Sequence, residues 1–279
     1  MKENNISTEH DTMLPDLERK LQKELSRYQY PAVAFSAGID STLVLASAVK
    51  IHGNQCVAIM VKNEAVPQRE VEEARRIADF LKCPLIVKEI DVLSLDKVAR
   101  NNKKRCYYCK KMMLREIKSI AKTQGCSVVL DGSNSDDHNC YRPGAKACKE
   151  EGIISPLQNC GINKTNVRNL ARYWELPNWE KPSSPCLLTR FPYDMEIPIT
   201  KELLIAVEQG EDCLRKICRS NFRLRWAGQG SVRIEVTEGE MEAILKHRQE
   251  LCKTLGDLGF HKITMDLYPF QSGRFDMEK

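Results

Sequence analysis

Three groups of residues in this chain have types and spacings that could do chemistry. The first is Ser36-Ala37-Gly38-Ile39-Asp40-Ser41, entered from Val33-Ala34-Phe35 and left through Thr42-Leu43-Val44-Leu45. A strand, a small-residue turn and a helix start make a frame for phosphate. Small side chains let the backbone approach an anion, and free N–H groups at the helix start point at it. An ordinary βα turn with an N-cap would use the same residue types. The lysine of a Walker A loop is absent, so this is not a kinase-type P-loop. The second group is Arg105-Cys106-Tyr107-Tyr108-Cys109-Lys110-Lys111. Its C-x-x-C sets two thiols at i and i+3, on one side of a helical turn. That spacing suits a soft metal or a redox pair, or two packed thiols without chemistry. No second C-x-x-C follows, which argues against a four-cysteine zinc site. A zinc held by Cys106, Cys109, Cys186 and a histidine is compatible with the spacing. The third group is Pro185-Cys186-Leu187-Leu188-Thr189-Arg190-Phe191-Pro192. A cysteine followed by an arginine inside a proline-rich loop is not a core pattern. Arg190 would favour a thiolate at Cys186 and could also hold a phosphate.

These groups need elements to position them. Leu14, Leu17, Leu21 and Leu25 predict an amphipathic helix over 14–29. Strands at 32–36, 56–61, 85–90 and 127–131 alternate with helices at 41–51, 68–81 and 110–124. A short strand at 152–155 and a helix at 164–175 follow. This alternation predicts an α/β fold, a parallel sheet with helices on both faces. Ligands on such sheets bind outside the carboxyl ends of the strands, so Ser36, Lys62 and Asp131 should share one rim. Five prolines between 177 and 198 exclude a long helix there. Beyond them the spacing predicts a helix at 201–217, strands at 223–226 and 232–236, a helix at 240–255 and a strand at 262–267. The expected organisation is an N-terminal domain over 1–180, a proline-rich active-site loop over 181–198 and a small C-terminal α+β domain over 199–279.

Composition sets the bounds. The chain has 279 residues, 42% apolar and 29% charged, with a net charge of +5. No run of about 18 apolar residues occurs, so no membrane span is expected. The polar start lacks the apolar core of a signal peptide, which points to the cytoplasm. Twelve cysteines then read as thiols rather than a disulfide framework. Cys56, Cys83 and Cys126, beside apolar runs, read as small buried hydrophobes. The basic clusters around 103–111 and 215–225 read either as solvated helix faces or as pockets for phosphates and carboxylates. The mild net charge argues against a nucleic-acid partner.

The first turn resembles S-G-G-x-D-S, the pyrophosphate loop of enzymes that split ATP into AMP and pyrophosphate. Ala37 stands where that pattern has a glycine, and a φ above zero there would carry a cost. The resemblance extends nearly end to end to the LarE family of ATP-dependent sulfur transferases. It runs through Tyr107-Tyr108 with Lys110-Lys111-Met112, then Val129-Leu130-Asp131-Gly132 and Tyr141-Arg142-Pro143-Gly144. It continues through the loop from Cys186 to Tyr193, then Arg223-x-Arg225, Arg233-Ile234-Glu235 and Phe270-x-Ser272-Gly273-Arg274.

The resemblance implies a pyrophosphate-loop fold, similar to the adenine nucleotide alpha hydrolases, with a small C-terminal α+β domain. It implies that a carboxylate of pyridinium-3,5-biscarboxylic acid mononucleotide is adenylated and its oxygen replaced by sulfur, on the way to the nickel-pincer nucleotide. On that reading Ser36, Gly38, Asp40, Ser41, Lys62, Lys110, Asp131, Gly132 and Arg190 serve ATP and Mg²⁺. Arg223, Arg225, Arg233 and Glu235 serve the substrate. One LarE type gives up the sulfur of its loop cysteine, the position of Cys186, but lacks the C-x-x-C. Another holds a [4Fe-4S] cluster on three cysteines, matched here by Cys106, Cys109 and Cys186, and this type is favoured. Implied partners are a small-molecule nucleotide, sulfide or a sulfur-donor protein, and further copies of the chain. The competing readings are a tRNA thiolase, an amide-forming ligase and a nucleotide-binding module without catalysis.

Overall fold

The computed structural model describes residues 5–139 and 143–271. Tyr141, Arg142, Ser272, Gly273 and Arg274, which carry part of the resemblance, lie outside the described residues. Along the chain run α1 (Asn5–Leu25), β1 (Pro31–Ala34), α2 (Ile39–His52), β2 (Val57–Lys62), α3 (Gln68–Phe80) and β3 (Leu85–Glu89). There follow α4 (Asp96–Ala99), α5 (Arg105–Thr123), β4 (Val128–Leu130), α6 (Pro143–Glu150), α7 (Pro156–Asn159) and α8 (Lys164–Tyr173). Then come α9 (Lys201–Ile217), β5 (Arg223–Gly228), β6 (Ser231–Glu235), α10 (Met241–Lys246), α11 (Arg248–Asp257) and β7 (Lys262–Met265). The chain divides into two compact units, one of residues 1–95 and 104–184, the other of 96–103 and 185–279.

In the first unit the four strands are all parallel, in the order β3-β2-β1-β4. Side chains alternate across a strand, and the two faces receive different helices. Val33, Ala58, Met60 and Leu130 join a core with Leu21 and Leu25 of α1, Leu43 of α2, Ile77 of α3 and Leu170 of α8. Ala32, Val57, Ile59, Val61 and Val129 join a separate core with Leu114 and Ile117 of α5 and Ala147 of α6. Burial on both faces explains the continuous apolar runs of β1 and β2. The expected strand at 152–155 is reduced to a single bridge between Ile154 and Leu130. Gly152, at φ +68, turns the chain just before it, and Pro156 opens α7 just after it, so no length is left for a strand.

The second unit carries a three-stranded sheet, β5-β6-β7, with the first pair antiparallel and the second parallel. α9 begins on Thr200, whose hydroxyl accepts from the Leu203 N–H. The helix expected over 240–255 is interrupted at His247, which separates α10 from α11. Its ring Nδ1 lies 2.9 Å from the Ala243 carbonyl that its own N–H also uses.

Candidate active site

β1 delivers the chain into the turn at Ser36, and Gly38 is the N-cap of α2 with no side chain capping it. The first N–H groups of α2 are therefore left for a ligand. The turn is tied through hydroxyls. Ser41 Oγ donates to the Gly38 carbonyl at 3.0 Å and accepts from the Ser36 N–H at 3.3 Å, with Ser36 Oγ 3.1 Å away. Ala37 is fully buried at φ +56, in the left-handed region. For a residue with a Cβ this conformation costs about 1–2 kcal/mol. Its carbonyl is held by two donors, Asn178 Nδ2 at 3.1 Å and Lys181 Nζ at 3.2 Å.

The segment after β4 closes the other wall. A Cβ built on Gly132 would lie 2.6 Å from the Ser41 nitrogen, so only glycine lets this segment lie against the first turn of α2. Asp40, in that first turn, accepts from Asn134 Nδ2 at 3.0 Å and pairs with the Lys164 ammonium. Asp131 is buried, and its carboxylate ties its own loop to α6 and to the start of α7. It accepts from the Ser133 N–H and hydroxyl, from Ser155 Oγ at 2.7 Å and from the Cys148 thiol at 3.3 Å. Burial pushes the Cys148 thiol up to about 11, so it stays protonated and donates. The turn, this segment, Lys110, Lys164 and Ser183 enclose a cavity of about 380 Å³. Asp40, Asp136 and Asp137 give it carboxylate oxygens, the ligands that Mg²⁺ takes.

Of the residues read for ATP and Mg²⁺, Ser36, Gly38, Asp40, Ser41, Lys110, Asp131 and Gly132 line this cavity together. Lys62 ends β2 on the same rim but directs its ammonium to Glu89, 3.0 Å away, and is not part of the lining. Cys106 and Cys109 lie in the first turns of α5, one exposed and one half-buried.

The second unit holds the remaining residues. Arg190 is buried and fully engaged. Its Nε and one Nη grip both oxygens of Glu211 at 2.8 and 2.9 Å. Its other Nη donates to the Pro185 carbonyl, the Cys186 carbonyl and Thr189 Oγ1. Read from sequence as a counter-charge for phosphate, Arg190 is here the strut of the half-buried Cys186 loop. Burial raises the Glu211 carboxyl, but the Arg190 hydrogen bonds and charge outweigh it and hold Glu211 below the usual carboxylate range. Asn101 holds the far side of the loop, donating to the carbonyls of Leu188, Phe191 and Pro192. That explains why 96–103 groups with the second unit.

On β5 and β6, Glu235 is shared by Arg225 at 2.9 Å and Arg233 at 3.1 Å, and Arg233 also faces Asp266. Arg223 has no carboxylate within ion-pair distance among the described residues. Burial and the Arg190 charge press it down to about 10, so its cation is short of compensation. Among the described residues no three His, Cys, Asp or Glu side chains are grouped to hold a metal ion. The thiols of Cys106, Cys109 and Cys186 do have the donor chemistry that iron–sulfur clusters use.

Sequence reasoning missed Asn134, Asp136, Asp137, Lys164, Asn178, Lys181, Asn101 and Glu211. The polar run 133–137 directly after a strand was a usable signal, since it falls at the carboxyl rim. Buried Asn101, Asn178 and Glu211 carry no periodic signal at all.

No protein-family model matches the sequence. The chain is 36% identical over 253 residues to the pyridinium-3,5-bisthiocarboxylic acid mononucleotide synthase of Lactiplantibacillus plantarum, covering 90% of this chain and 91% of that protein. It is 34% identical to an uncharacterized protein of Synechocystis sp., covering 88% and 91% of the two chains. An uncharacterized protein of Methanocaldococcus jannaschii is 32% identical, covering 90% and 94%. Sheet, turn and relatives together define an α/β enzyme of the pyrophosphate-loop superfamily. Within it, the chain belongs to the LarE family of sulfur transferases.

Proposed function

We propose that this enzyme adenylates a carboxylate of pyridinium-3,5-biscarboxylic acid mononucleotide with ATP and converts it to a thiocarboxylate. The observation that carries this is the uncapped, glycine-walled turn of a chain 36% identical to a named synthase of the bisthiocarboxylic product. A free carboxylate is a poor acyl donor because its oxygen leaves badly. Attack of that oxygen on the α-phosphorus of ATP breaks the bond to the β-phosphate oxygen and releases pyrophosphate. The N–H groups of the turn, with the Ser36 and Ser41 hydroxyls, are suited to the charge on that leaving group. Asp40 is the first candidate for Mg²⁺, and Lys110 and Lys164 supply positive charge beside it. A sulfide sulfur then attacks the acyl carbon, the carbon–oxygen bond to AMP breaks, and AMP carries that oxygen away.

Arg223, the undercompensated cation, is suited to the substrate's phosphate or second carboxylate, with Arg225, Arg233 and Glu235 setting its frame. Cys106, Cys109 and Cys186 would hold a [4Fe-4S] cluster, which supplies an iron site open to exchangeable sulfide. The nickel-pincer pathway is the destination that this product class serves.

Anaerobic protein given ATP, sulfide and the dicarboxylate nucleotide should release pyrophosphate and exchange substrate oxygen for sulfur over many turnovers. Iron and acid-labile sulfide should be present and be lost in Cys106→Ala. Iron-free protein that turns over once, with Cys186 losing its own sulfur, would replace the cluster by sacrificial chemistry. ATP binding without pyrophosphate release would contradict the proposal as a whole.

A further inference from the structure

We infer that Asn178 and Lys181 are positioning residues that aim the Gly38 N–H into the phosphate cradle by fixing the peptide between Ala37 and Gly38. The inference deepens the reading of the turn as the pyrophosphate site and rests on it. In a planar trans peptide the carbonyl of one residue and the N–H of the next point in opposite directions. The Ala37 carbonyl is tied down on the buried side, by Asn178 Nδ2 at 3.1 Å and Lys181 Nζ at 3.2 Å. The Gly38 N–H is thereby turned the other way, and Gly38 lines the cavity.

The two braces are themselves anchored. Asn178 is 2% exposed, and the same Nδ2 donates to Thr42 Oγ1 at 2.9 Å, so one amide clamps both the entry of the turn and the first turns of α2. Lys181 is held by Glu70 at 2.7 Å. Neither brace is part of the cavity lining, so their effect passes through the peptide they hold.

Ala37 is the third lock. At φ +56 an L-residue has one narrow allowed range of ψ, the left-handed well. Flipping the 37–38 peptide would carry ψ through roughly half a turn, into a region essentially reserved for glycine. The methyl that departs from the family pattern therefore stiffens the turn against that flip. Its cost in strain is offset by the two hydrogen bonds to its carbonyl.

The test uses the full chain and three probes: Mg²⁺–pyrophosphate, ATP and AMP. In Asn178→Ala, which changes no charge, pyrophosphate and ATP affinities should fall about tenfold, the scale of one hydrogen bond to a charged group. AMP affinity should stay as in the parent, because AMP lacks the phosphates the turn receives. Lys181→Arg, which keeps a donor, should retain more affinity than Lys181→Met. Ala37→Gly alone should not raise ATP affinity, and combined with Asn178→Ala it should lose more than the two single changes together. Folded variants with parental pyrophosphate affinity, or with equal losses for AMP and pyrophosphate, would overturn the inference. Amide hydrogen exchange of residues 36–41 in the ligand-free protein decides the bracing even if pyrophosphate is not the ligand. Exchange should be faster in Asn178→Ala, and an unchanged rate would overturn the bracing.

Discussion

At the scale of single residues, the chemistry of the first unit depends on how closely backbone can approach backbone. Gly132 shows it most directly. A methyl there would meet the Ser41 nitrogen at 2.6 Å, and the nearest atoms it would meet are all main chain. Gly132→Ala should destabilise the protein by about 1–3 kcal/mol, the usual cost of overpacking, and should weaken ATP binding by deforming the cradle. Chemical denaturation and titration calorimetry measure the two effects. Unchanged ATP affinity would separate the segment after β4 from the site. Ala37 illustrates what sequence could and could not give. Its departure from the glycine pattern raised the question of a positive φ, and the structure supplies both that φ and the two donors that compensate it. Those donors come from residues 178 and 181, far along the chain in a loop without periodicity, so no local pattern announced them.

At the scale of elements, the β1–α2 turn and the Cys186 loop are each held by a buried polar strut. The Arg190–Glu211 pair joins the Cys186 loop to α9, and Glu211 also accepts the Leu224 N–H that opens β5. Removing one partner of a buried pair costs about 3–5 kcal/mol, because the other charge is left without compensation. Glu211→Ala should lose that much, and a double apolar replacement of Arg190 and Glu211 should recover most of the stability without restoring turnover. The pH dependence follows from the direction of the Glu211 shift. A folded pKa below the unfolded value contributes stability above the unfolded pKa, near 4.3, and loses it as pH falls through the folded value. Between about pH 6 and 3 the parent should therefore lose stability more steeply than Glu211→Gln. Parallel unfolding curves would contradict that role for the carboxylate.

Element boundaries were legible where periodicity was long. α9 occupies the predicted 201–217, and the four parallel strands fall within about a residue or two of expectation. The strand at 152–155 failed because Gly152 and Pro156 outweigh two apolar residues between them. The helix over 240–255 read as continuous because its apolar spacing continues across the break at His247.

At the scale of the whole molecule, the residues read for chemistry are distributed over both units. The β1–α2 turn and the C-x-x-C lie in the first, and the Cys186 loop and the arginine cluster lie in the second. No described helix is long and apolar enough to cross a membrane. The second unit exposes the apolar side chains of Ile197, Ile205, Leu245, Leu267 and Tyr268. With the self-association that the family resemblance implies, light scattering should return a multiple of the chain mass, and replacing Leu267 and Tyr268 by charged residues should lower it. A parent protein that is monomeric at all concentrations would contradict self-association. A specific complex with tRNA would redirect the sulfur from a small nucleotide to nucleic acid.

The central claim is that ATP activates a carboxylate by adenylation before sulfur enters. It is tested most directly by oxygen-18 in the carboxylates of the pyridinium dicarboxylate nucleotide. Adenylation followed by displacement of AMP predicts one oxygen-18 atom in the phosphate of AMP for each sulfur gained, and none in pyrophosphate. Label that appears in pyrophosphate or inorganic phosphate, or sulfur gained with unlabelled AMP, would contradict the account.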